Sequence, residues 1–169
     1  MKIDLKKLNA SARASIPFDE TIDLTDEKLY GAKPFQSPVH IKGEVSNESG
    51  VVRLAGSIET IYSTECARCL KPLEIPLSAE ADMMLSDDPE AEEEDDLFVL
   101  TSDSVDPADV LVPALILQVQ MTYLCKEDCK GLCPHCGADR NVTDCDCDKK
   151  QIDPRFAALR ALLDSDKGE

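Results

Sequence analysis

Hydrophobic and polar residues alternate along three stretches of the chain, from Val39 to Val45, from Val52 to Tyr62 and from Leu73 to Leu85. Residues 47–50, between the first two stretches, read Asn-Glu-Ser-Gly, which is a turn-forming sequence. A period of two residues is typical of a strand with one buried face. The pattern therefore predicts a hairpin of two long strands followed by a third long strand. Pro76 has no backbone N–H, so the third strand is expected to lie at a sheet edge there or to pair imperfectly.

Shorter patterns predict the remaining strands. Apolar residues at even spacing favour a strand within residues 15–24, and the apolar residues 97–100 favour a short strand. A short edge strand is expected within residues 1–15, where apolar residues alternate loosely. Residues 26–32 are expected to form a brief helical turn.

One apolar helix is predicted over residues 107–121. Asp106 can cap its first turn, and Pro107 suits the first helical position. Asp109 lies where the helix dipole favours an acidic side chain. Pro113 is expected to kink the helix or to force a later start. Because the helix is apolar on most sides, we expect it to pack on the apolar face of the sheet.

These elements predict an α+β fold, in which an antiparallel sheet of about four to six strands packs on one apolar helix. A chain of 169 residues is expected to form one domain, or one domain with a small appendage. We divide it into a sheet-and-helix domain at 1–124, a Cys-rich metal-binding region at 125–150 and a short C-terminal helix at 151–169. That last helix is predicted from an apolar stripe formed by Phe156, Leu159, Leu162 and Leu163.

The charge of the chain limits its partners. The net charge is −16, and eight acidic residues lie between positions 86 and 96. Such a run of like charges is expected to form a solvated loop. The alternative is a functional segment, either a mimic of nucleic-acid phosphate or a binding site for a basic partner. The overall acidity argues against a strongly basic nucleic-acid-binding protein.

The compartment bears on how the cysteines are used. The first residues lack the continuous apolar stretch of a secretory signal. The longest nearly uninterrupted apolar run, from Val110 to Val119, is too short to span a bilayer. We therefore expect a cytoplasmic protein without membrane association. In a reducing compartment, clustered cysteines bind metals or catalyse reactions more often than they form a disulfide framework.

Eight cysteines form the clearest chemical signal of the chain. Two lie in a Cys-x-x-Cys pair, and the other six fall within residues 125–147. Four thiolates around a tetrahedral ion make a closed zinc site, so the sequence predicts two zinc ions. We assign Cys66, Cys69, Cys125 and Cys129 to site A, and Cys133, Cys136, Cys145 and Cys147 to site B. The rival partition joins Cys125, Cys129, Cys133 and Cys136, and leaves Cys66, Cys69, Cys145 and Cys147 as the other set.

Two other uses of clustered cysteines fit this sequence less well. The tetrapeptide Cys133-Pro134-His135-Cys136 also occurs in thiol–disulfide oxidoreductases, where the first thiolate lies at a helix N-terminus. Here Gly137 follows and no amphipathic helix pattern comes next. An iron–sulfur cluster also needs four thiolates, but the cysteine spacing of bacterial ferredoxins is absent. The sequence offers no catalytic triad, phosphate-binding glycine loop or convergent carboxylate pair, so we expect a protein that is not an enzyme.

The cysteine segments resemble the YceD family, the large ribosomal RNA subunit accumulation proteins. Residues 65–70 read Glu-Cys-Ala-Arg-Cys-Leu, which is similar to the Cys-x-Arg-Cys element of that family. An Asp-rich segment, an apolar helix and the sequence Cys-Lys-Gly-Leu-Cys-Pro-His-Cys-Gly at 129–137 follow in the family's order. Residues 141–147 and 153–159 also resemble the family's ending, so that the resemblance covers about residues 1–165.

The resemblance implies a non-enzymatic role in the accumulation, processing or stability of large-subunit (23S) ribosomal RNA. We expect the partner to be a basic ribosomal protein or a protein–RNA junction of the pre-ribosome, and we expect no small-molecule substrate. Direct RNA contact is the second hypothesis. The cations that could make either contact are Arg68, Lys126, Lys130, Arg140, Lys149 and Lys150.

Overall fold

The computed structural model describes residues 2–9, 14–88 and 96–147. Seven strands and two helices lie within these ranges. In chain order they are β1 (Ile3–Asp4), α1 (Lys6–Asn9), β2 (Ser15–Ile22), β3 (Val39–Glu48), β4 (Val51–Glu65), β5 (Pro72–Ser86), β6 (Leu97–Val99), β7 (Ser104–Val105) and α2 (Pro107–Leu117). The predicted α+β class, with one apolar helix on a sheet, is confirmed.

The main sheet has five strands in the order β2-β3-β4-β5-β6, and β1 pairs with β7 in a separate two-stranded sheet. The four strands from β2 to β5 pair antiparallel. The prediction of a fully antiparallel sheet is wrong at the last strand, because β6 pairs parallel with β5 from Met84↔Leu97 to Ser86↔Val99. A strand of three residues has no pattern that fixes its direction.

The predicted hairpin is confirmed, and its turn lies within the predicted residues 47–50. Glu48 pairs with Val51, so the loop between β3 and β4 consists of Ser49 and Gly50. Both have positive φ, 57° and 98°, as in the two-residue turns that match the twist of antiparallel strands. The helical turn predicted at 26–32 is wrong. Leu29 and Ala32 instead form a bridge around two residues of positive φ, which makes a second tight turn.

Helix α2 covers the apolar face of the sheet, where it lies against β5, β4 and β3. Leu111 and Leu115 are fully buried in the same core as Ile41, Leu54 and Ile58. Burial of this apolar surface is the main favourable contribution to folding of the domain.

Two glycines face each other across β3 and β4 beneath this core. A Cβ atom on Gly43 would come within 2.8 Å of the Phe18 ring, and one on Gly56 would lie 3.0 Å from the same ring. The Gly56 position is also close to Leu111, at 3.4 Å. The two glycines therefore make room for Phe18 and for the helix.

The start of α2 is confirmed and its end is not. Asp106 accepts a hydrogen bond from the Ala108 N–H at 3.1 Å, as an N-cap should. Pro113 lies inside the helix, which ends at Leu117 rather than near residue 121. The N–H of Gln118 and that of Val119 donate to the carbonyls of Leu115 and Ile116, three residues back in each case. These hydrogen bonds over three residues tighten and close the last turn of the helix, and the chain then continues to the cysteines.

Some predictions fall outside the described residues. They are the C-terminal helix at 151–169, the cations Lys149 and Lys150, and most of the acidic loop, of which residues 89–95 are not described. The division of the chain into three parts stays a prediction. Within the described ranges, no helix combines the length and the apolar character that crossing a bilayer requires.

Candidate metal centre

The eight thiols form two groups of four. Within each group, all Sγ atoms lie within 4.8 Å of one another. In site A, the Cys66 and Cys129 Sγ atoms are 3.8 Å apart, and those of Cys69 and Cys125 are 3.6 Å apart. A disulfide would bring the two sulfurs to about 2.0 Å. Four thiolates around a tetrahedral zinc ion at about 2.3 Å would stand about 3.8 Å from one another, so the spacing fits a metal site.

The grouping is the first of the two partitions derived from the sequence. Cys66, Cys69, Cys125 and Cys129 form site A, and Cys133, Cys136, Cys145 and Cys147 form site B. Site A joins residues more than fifty positions apart, whereas site B is assembled within one short segment. All eight cysteines are free thiols.

The first half of site A is the loop that connects β4 to β5. The Cys66 N–H donates to the Lys71 carbonyl at 2.8 Å, and the Leu70 N–H donates to the Cys66 carbonyl at 2.9 Å. Leu70 takes a positive φ of 60° to close this loop. The cysteines at positions 66 and 69 therefore lie at the tip of the longest hairpin of the sheet.

The second half of site A comes from the segment that follows α2. The Ala67 N–H donates to the Tyr123 carbonyl at 2.9 Å, which holds this segment against the hairpin tip. The Tyr123 ring packs on Tyr62 with a centroid distance of 5.5 Å, and Tyr62 makes an edge contact with Phe35 at 5.9 Å. These aromatic contacts hold Cys125 close to the hairpin, and they do so without any contribution from a bound metal.

Site B is built on a small hairpin. Leu132 and Asp139 form an antiparallel bridge, and the Cys133 N–H donates to the Ala138 carbonyl at 2.8 Å. The Gly137 N–H donates back to the Cys133 carbonyl at 2.8 Å, and Gly137 has a φ of 74°. These hydrogen bonds form a tight turn across the Cys-Pro-His-Cys-Gly sequence. His135 is exposed between Cys133 and Cys136.

Backbone N–H groups stabilise one thiolate in each site. Hydrogen bonds from the N–H groups of Cys125, Arg68 and Cys69 lower the pKa of Cys66 to about 6, and they outweigh the opposing effect of burial. In site B, the N–H groups of Cys136 and His135 lower the pKa of Cys133 to about 6. A hydrogen bond to the charged form favours that form, and the thiolate is the form that binds a metal.

In each site, the pKa of a neighbouring thiol shifts in the opposite direction, upwards. Burial and hydrogen bonding with the adjacent thiols raise the pKa of Cys125 to about 12. A hydrogen bond with the Cys136 side chain, followed by burial, raises the pKa of Cys147 to about 12. Thiolates this close repel one another, so a second charge is unfavourable without a cation between them. A divalent cation reverses this balance, and the donor set therefore fits a metal ion that binds four thiolates.

Arg68 and Gly131 join the two sites. The Arg68 side chain donates from Nη1 to the carbonyls of Cys129 and Glu127, at 2.9 and 3.3 Å. The Arg68 carbonyl accepts the Leu132 N–H at 3.0 Å. A Cβ on Gly131 would lie 2.8 Å from that same carbonyl oxygen, and Gly131 has a φ of 69°. The sequence predicts Arg68 as a possible contact with a partner. In the structure, its side chain donates hydrogen bonds within the Cys-rich region.

The other predicted cations lie on the same Cys-rich region. Lys126 pairs with Asp128 at 3.7 Å, and both side chains are largely exposed. Lys130 is exposed, and Arg140 is partly buried. Arg140 also lines a cavity of about 230 Å³ beside site B, together with His135 and three of the four cysteines of that site.

Sequence reasoning missed Asn141, whose side chain makes three hydrogen bonds close to the thiols. Its Nδ2 donates to the Cys129 Sγ at 3.4 Å and to the Asp139 Oδ1 at 2.7 Å, and its Oδ1 accepts the Lys130 N–H at 2.9 Å. Hydrogen bonds from the Asn141 backbone and then its side chain hold the pKa of Asp139 below its usual value. An asparagine in a loop gives no sequence signal for this role, because its contacts depend on how site B is folded.

The comparison with protein families identifies the group to which this arrangement belongs. A family model described as "Large ribosomal RNA subunit accumulation protein YceD" matches residues 54–163. The chain belongs to the YceD family. The match begins on β4 and covers both cysteine sites, so the candidate metal centre lies within the YceD region.

Individual relatives agree with this membership. The uncharacterized protein YlbN of Bacillus subtilis is 29% identical over 169 residues, which cover 98% of each chain. A chloroplastic YCED homolog 1 of Zea mays, named as a large ribosomal RNA subunit accumulation protein, is 26% identical over 155 residues. These cover 72% of this chain and 52% of the maize protein, so the chain spans about half of that relative. The Arabidopsis thaliana homolog of the same name is 23% identical over 159 residues, or 76% of this chain and 50% of that protein. No solved structure matches the chain.

Proposed function

We propose that this protein is a non-enzymatic ribosome-biogenesis factor, needed for the accumulation, processing or stability of large-subunit (23S) ribosomal RNA. The observation that carries this proposal is the YceD match over residues 54–163, together with plant relatives named for large ribosomal RNA accumulation. A role in assembly of the large subunit supports a cytoplasmic location for this protein.

Zinc is the proposed cofactor, with one ion in site A and one in site B. Thiolates are soft ligands that favour zinc, and four of them leave no coordination position for a catalytic water. When bound, zinc supplies cross-links between distant segments of backbone and no reaction chemistry. The chain's own contribution is to position the thiols and to direct N–H groups at Cys66 and Cys133. This closed coordination supports a binding module rather than an enzyme.

Charge favours a basic protein partner, or a protein–RNA junction, over naked RNA. The polypeptide carries a net charge of −16, and a dication held by four thiolates adds about two further negative charges at each site. Phosphate contacts dominate nucleic-acid affinity and need an excess of lysine and arginine. Direct RNA contact through Lys126, Lys130 and Arg140 is the second candidate. It predicts measurable affinity in a titration with 23S rRNA fragments at 50 mM salt, and a steep loss at 200 mM.

A thiol–disulfide oxidoreductase is the remaining alternative, since the pKa of Cys133 is lowered to about 6. Bound metal would block this reactivity, because the thiolate pair would be engaged as ligands. Zinc-loaded protein should therefore show no insulin-reducing activity. Activity that depends on Cys133 and Cys136 would favour the oxidoreductase.

Complementation tests the proposed function together with the metal. A bacterium that lacks its own YceD-family gene receives the native chain, Cys66→Ser or Cys133→Ser, and mature 23S rRNA is measured relative to 16S rRNA. We expect the native chain to restore 23S rRNA and to contain two zinc ions per chain, with one in each variant. Unchanged 23S rRNA after deletion and after complementation would refute the assembly role. Native protein with one zinc or none, purified without added metal, would refute the two-site assignment.

A further inference from the structure

The linker between the two sites is held from both sides. Residues 130–132 join Cys129 of site A to Cys133 of site B. From the hairpin side, the Arg68 carbonyl accepts the Leu132 N–H at 3.0 Å. From the site B side, the Gly131 carbonyl accepts the Arg140 N–H at 3.0 Å, and the Lys130 N–H donates to the Asn141 Oδ1 at 2.9 Å. The linker therefore has a partner on each side.

Asn141 crosses from one site to the other. It lies in the loop that joins Cys136 to Cys145, two of the four thiols of site B. Its Nδ2, however, donates to the Sγ of Cys129, a ligand of site A, at 3.4 Å. Asp139 fixes the orientation of this amide, because its Oδ1 accepts both the Asn141 N–H at 2.8 Å and the Nδ2 at 2.7 Å. With Lys130 on the amide oxygen, the side chain has one orientation that satisfies all of its contacts.

We propose that Asn141 couples the two sites, so that zinc bound at site B increases the affinity of site A for zinc. The inference rests on the proposed zinc occupancy and assigns Asn141 as a positioning residue. Zinc at site B closes the loop that carries Asn141, and the ordered amide then supplies a hydrogen bond to the Cys129 sulfur. A donor to a ligating atom orients that ligand, and loss of such a partner typically lowers metal affinity roughly tenfold to a hundredfold.

The coupling must be reciprocal. If zinc at site B strengthens site A by some factor, zinc at site A strengthens site B by the same factor. The structure supplies the route for this effect, because the Asn141 side chain bonds both to the Lys130 N–H of the linker and to the Cys129 sulfur of site A. Loading is therefore expected to be cooperative, and partly loaded protein is expected to be scarce during a titration.

The experiment measures zinc affinity at site A by competition with a chromogenic chelator. Four full-length proteins are compared: the native chain, Asn141→Ala, a variant without site B (Cys133→Ser with Cys136→Ser), and the combination of these changes. Val142→Ala is the matched control, because Val142 is adjacent in the same loop and its side chain is 82% exposed. Asn141→Asp is a second probe, since it keeps the acceptor for Lys130 but cannot donate to the Cys129 sulfur. Circular dichroism checks that the sheet is intact in each protein.

The expected pattern is non-additive. Asn141→Ala and loss of site B should each weaken site A about tenfold, and the combination should be no weaker than loss of site B alone. Asn141→Asp should also weaken site A, whereas Val142→Ala should leave it unchanged. Equal site A affinity in the native chain and in the variant without site B would overturn the coupling. Additive losses would overturn the assignment to Asn141. A native chain that binds no zinc would refute the proposed occupancy itself, which is a distinguishable result.

Discussion

Gly131 and Gly137 share a left-handed backbone and differ in what surrounds them. Their φ angles are 69° and 74°. A Cβ on Gly131 would meet the Arg68 carbonyl oxygen at 2.8 Å, whereas a Cβ on Gly137 would meet nothing within 4 Å. A side chain in this conformation costs about 1–2 kcal/mol through the backbone alone. The two positions thus separate the conformational cost from the cost of close packing between the hairpin tip and the linker.

Substitution of these glycines should therefore have unequal effects. Gly137→Ala is expected to lower the free energy of unfolding of the zinc-loaded protein by about 1–2 kcal/mol. Gly131→Ala is expected to lower it by at least about 1 kcal/mol more, because the linker must move away from Arg68. Chemical denaturation of both variants at equal zinc loading checks this. Equal losses would show that the contact between Gly131 and Arg68 is not tightly packed.

At the scale of the element, α2 stabilises the sheet through one face only. Leu111 is fully buried on the sheet, while Leu117 at the end of the same helix is 83% exposed. Leu111→Ala should lower the free energy of unfolding by about 2–5 kcal/mol, since it leaves a cavity in the core. Leu117→Ala, the matched control, should change it by less than about 0.5 kcal/mol. Thermal or denaturant unfolding measures both. Similar losses in the two variants would mean that the exposed end of the helix is covered in solution.

The long elements could be predicted because their signals are local. Alternation over seven to thirteen residues predicts which face of β3, β4 and β5 is buried, and the turn-forming residues 47–50 predict the hairpin. The short elements could not. Leu97–Val99 has three apolar residues and no directional signal, so its parallel pairing depends on the rest of the sheet. The end of α2 at Leu117 was also missed, since apolar residues recur past it at Val119 and Met121.

At the scale of the whole molecule, the division of the eight thiols into two sites could be predicted from the sequence. The contacts that hold these sites together could not. Cysteine spacing alone favours the partition that the structure shows, because Cys133 to Cys147 can close within one loop. The aromatic contact of Tyr123 with Tyr62 joins segments far apart in sequence, and the amide contact of Asn141 with Cys129 joins one cysteine site to the other. Such contacts require the folded backbone and leave no pattern in the chain.

Two parts of the molecule are stabilised by different interactions, and removal of zinc should destabilise only one of them. The sheet and α2 share a core of fully buried apolar residues that includes Ile41, Leu54 and Leu111. In residues 125–147, the buried side chains are those of the cysteines at 129 and 133, so this region depends on its thiols for cohesion. Structural zinc contributes on the order of 10 kcal/mol to the folding of small zinc-binding peptides. The core should therefore survive chelation, and the Cys-rich region should not.

Hydrogen exchange measures this division amide by amide. After treatment with a strong zinc chelator, the N–H groups of Leu132, Cys133 and Arg140 should exchange much faster, because their acceptors lie within the Cys-rich region or at the hairpin tip. Amides in the middle of β4, paired with both β3 and β5, should keep their protection. Re-addition of zinc should restore the slow exchange, which controls for damage by the chelator. Loss of protection throughout β4 would mean that the metal sites stabilise the whole domain, and unchanged exchange at residues 132–140 would mean that this region folds without metal.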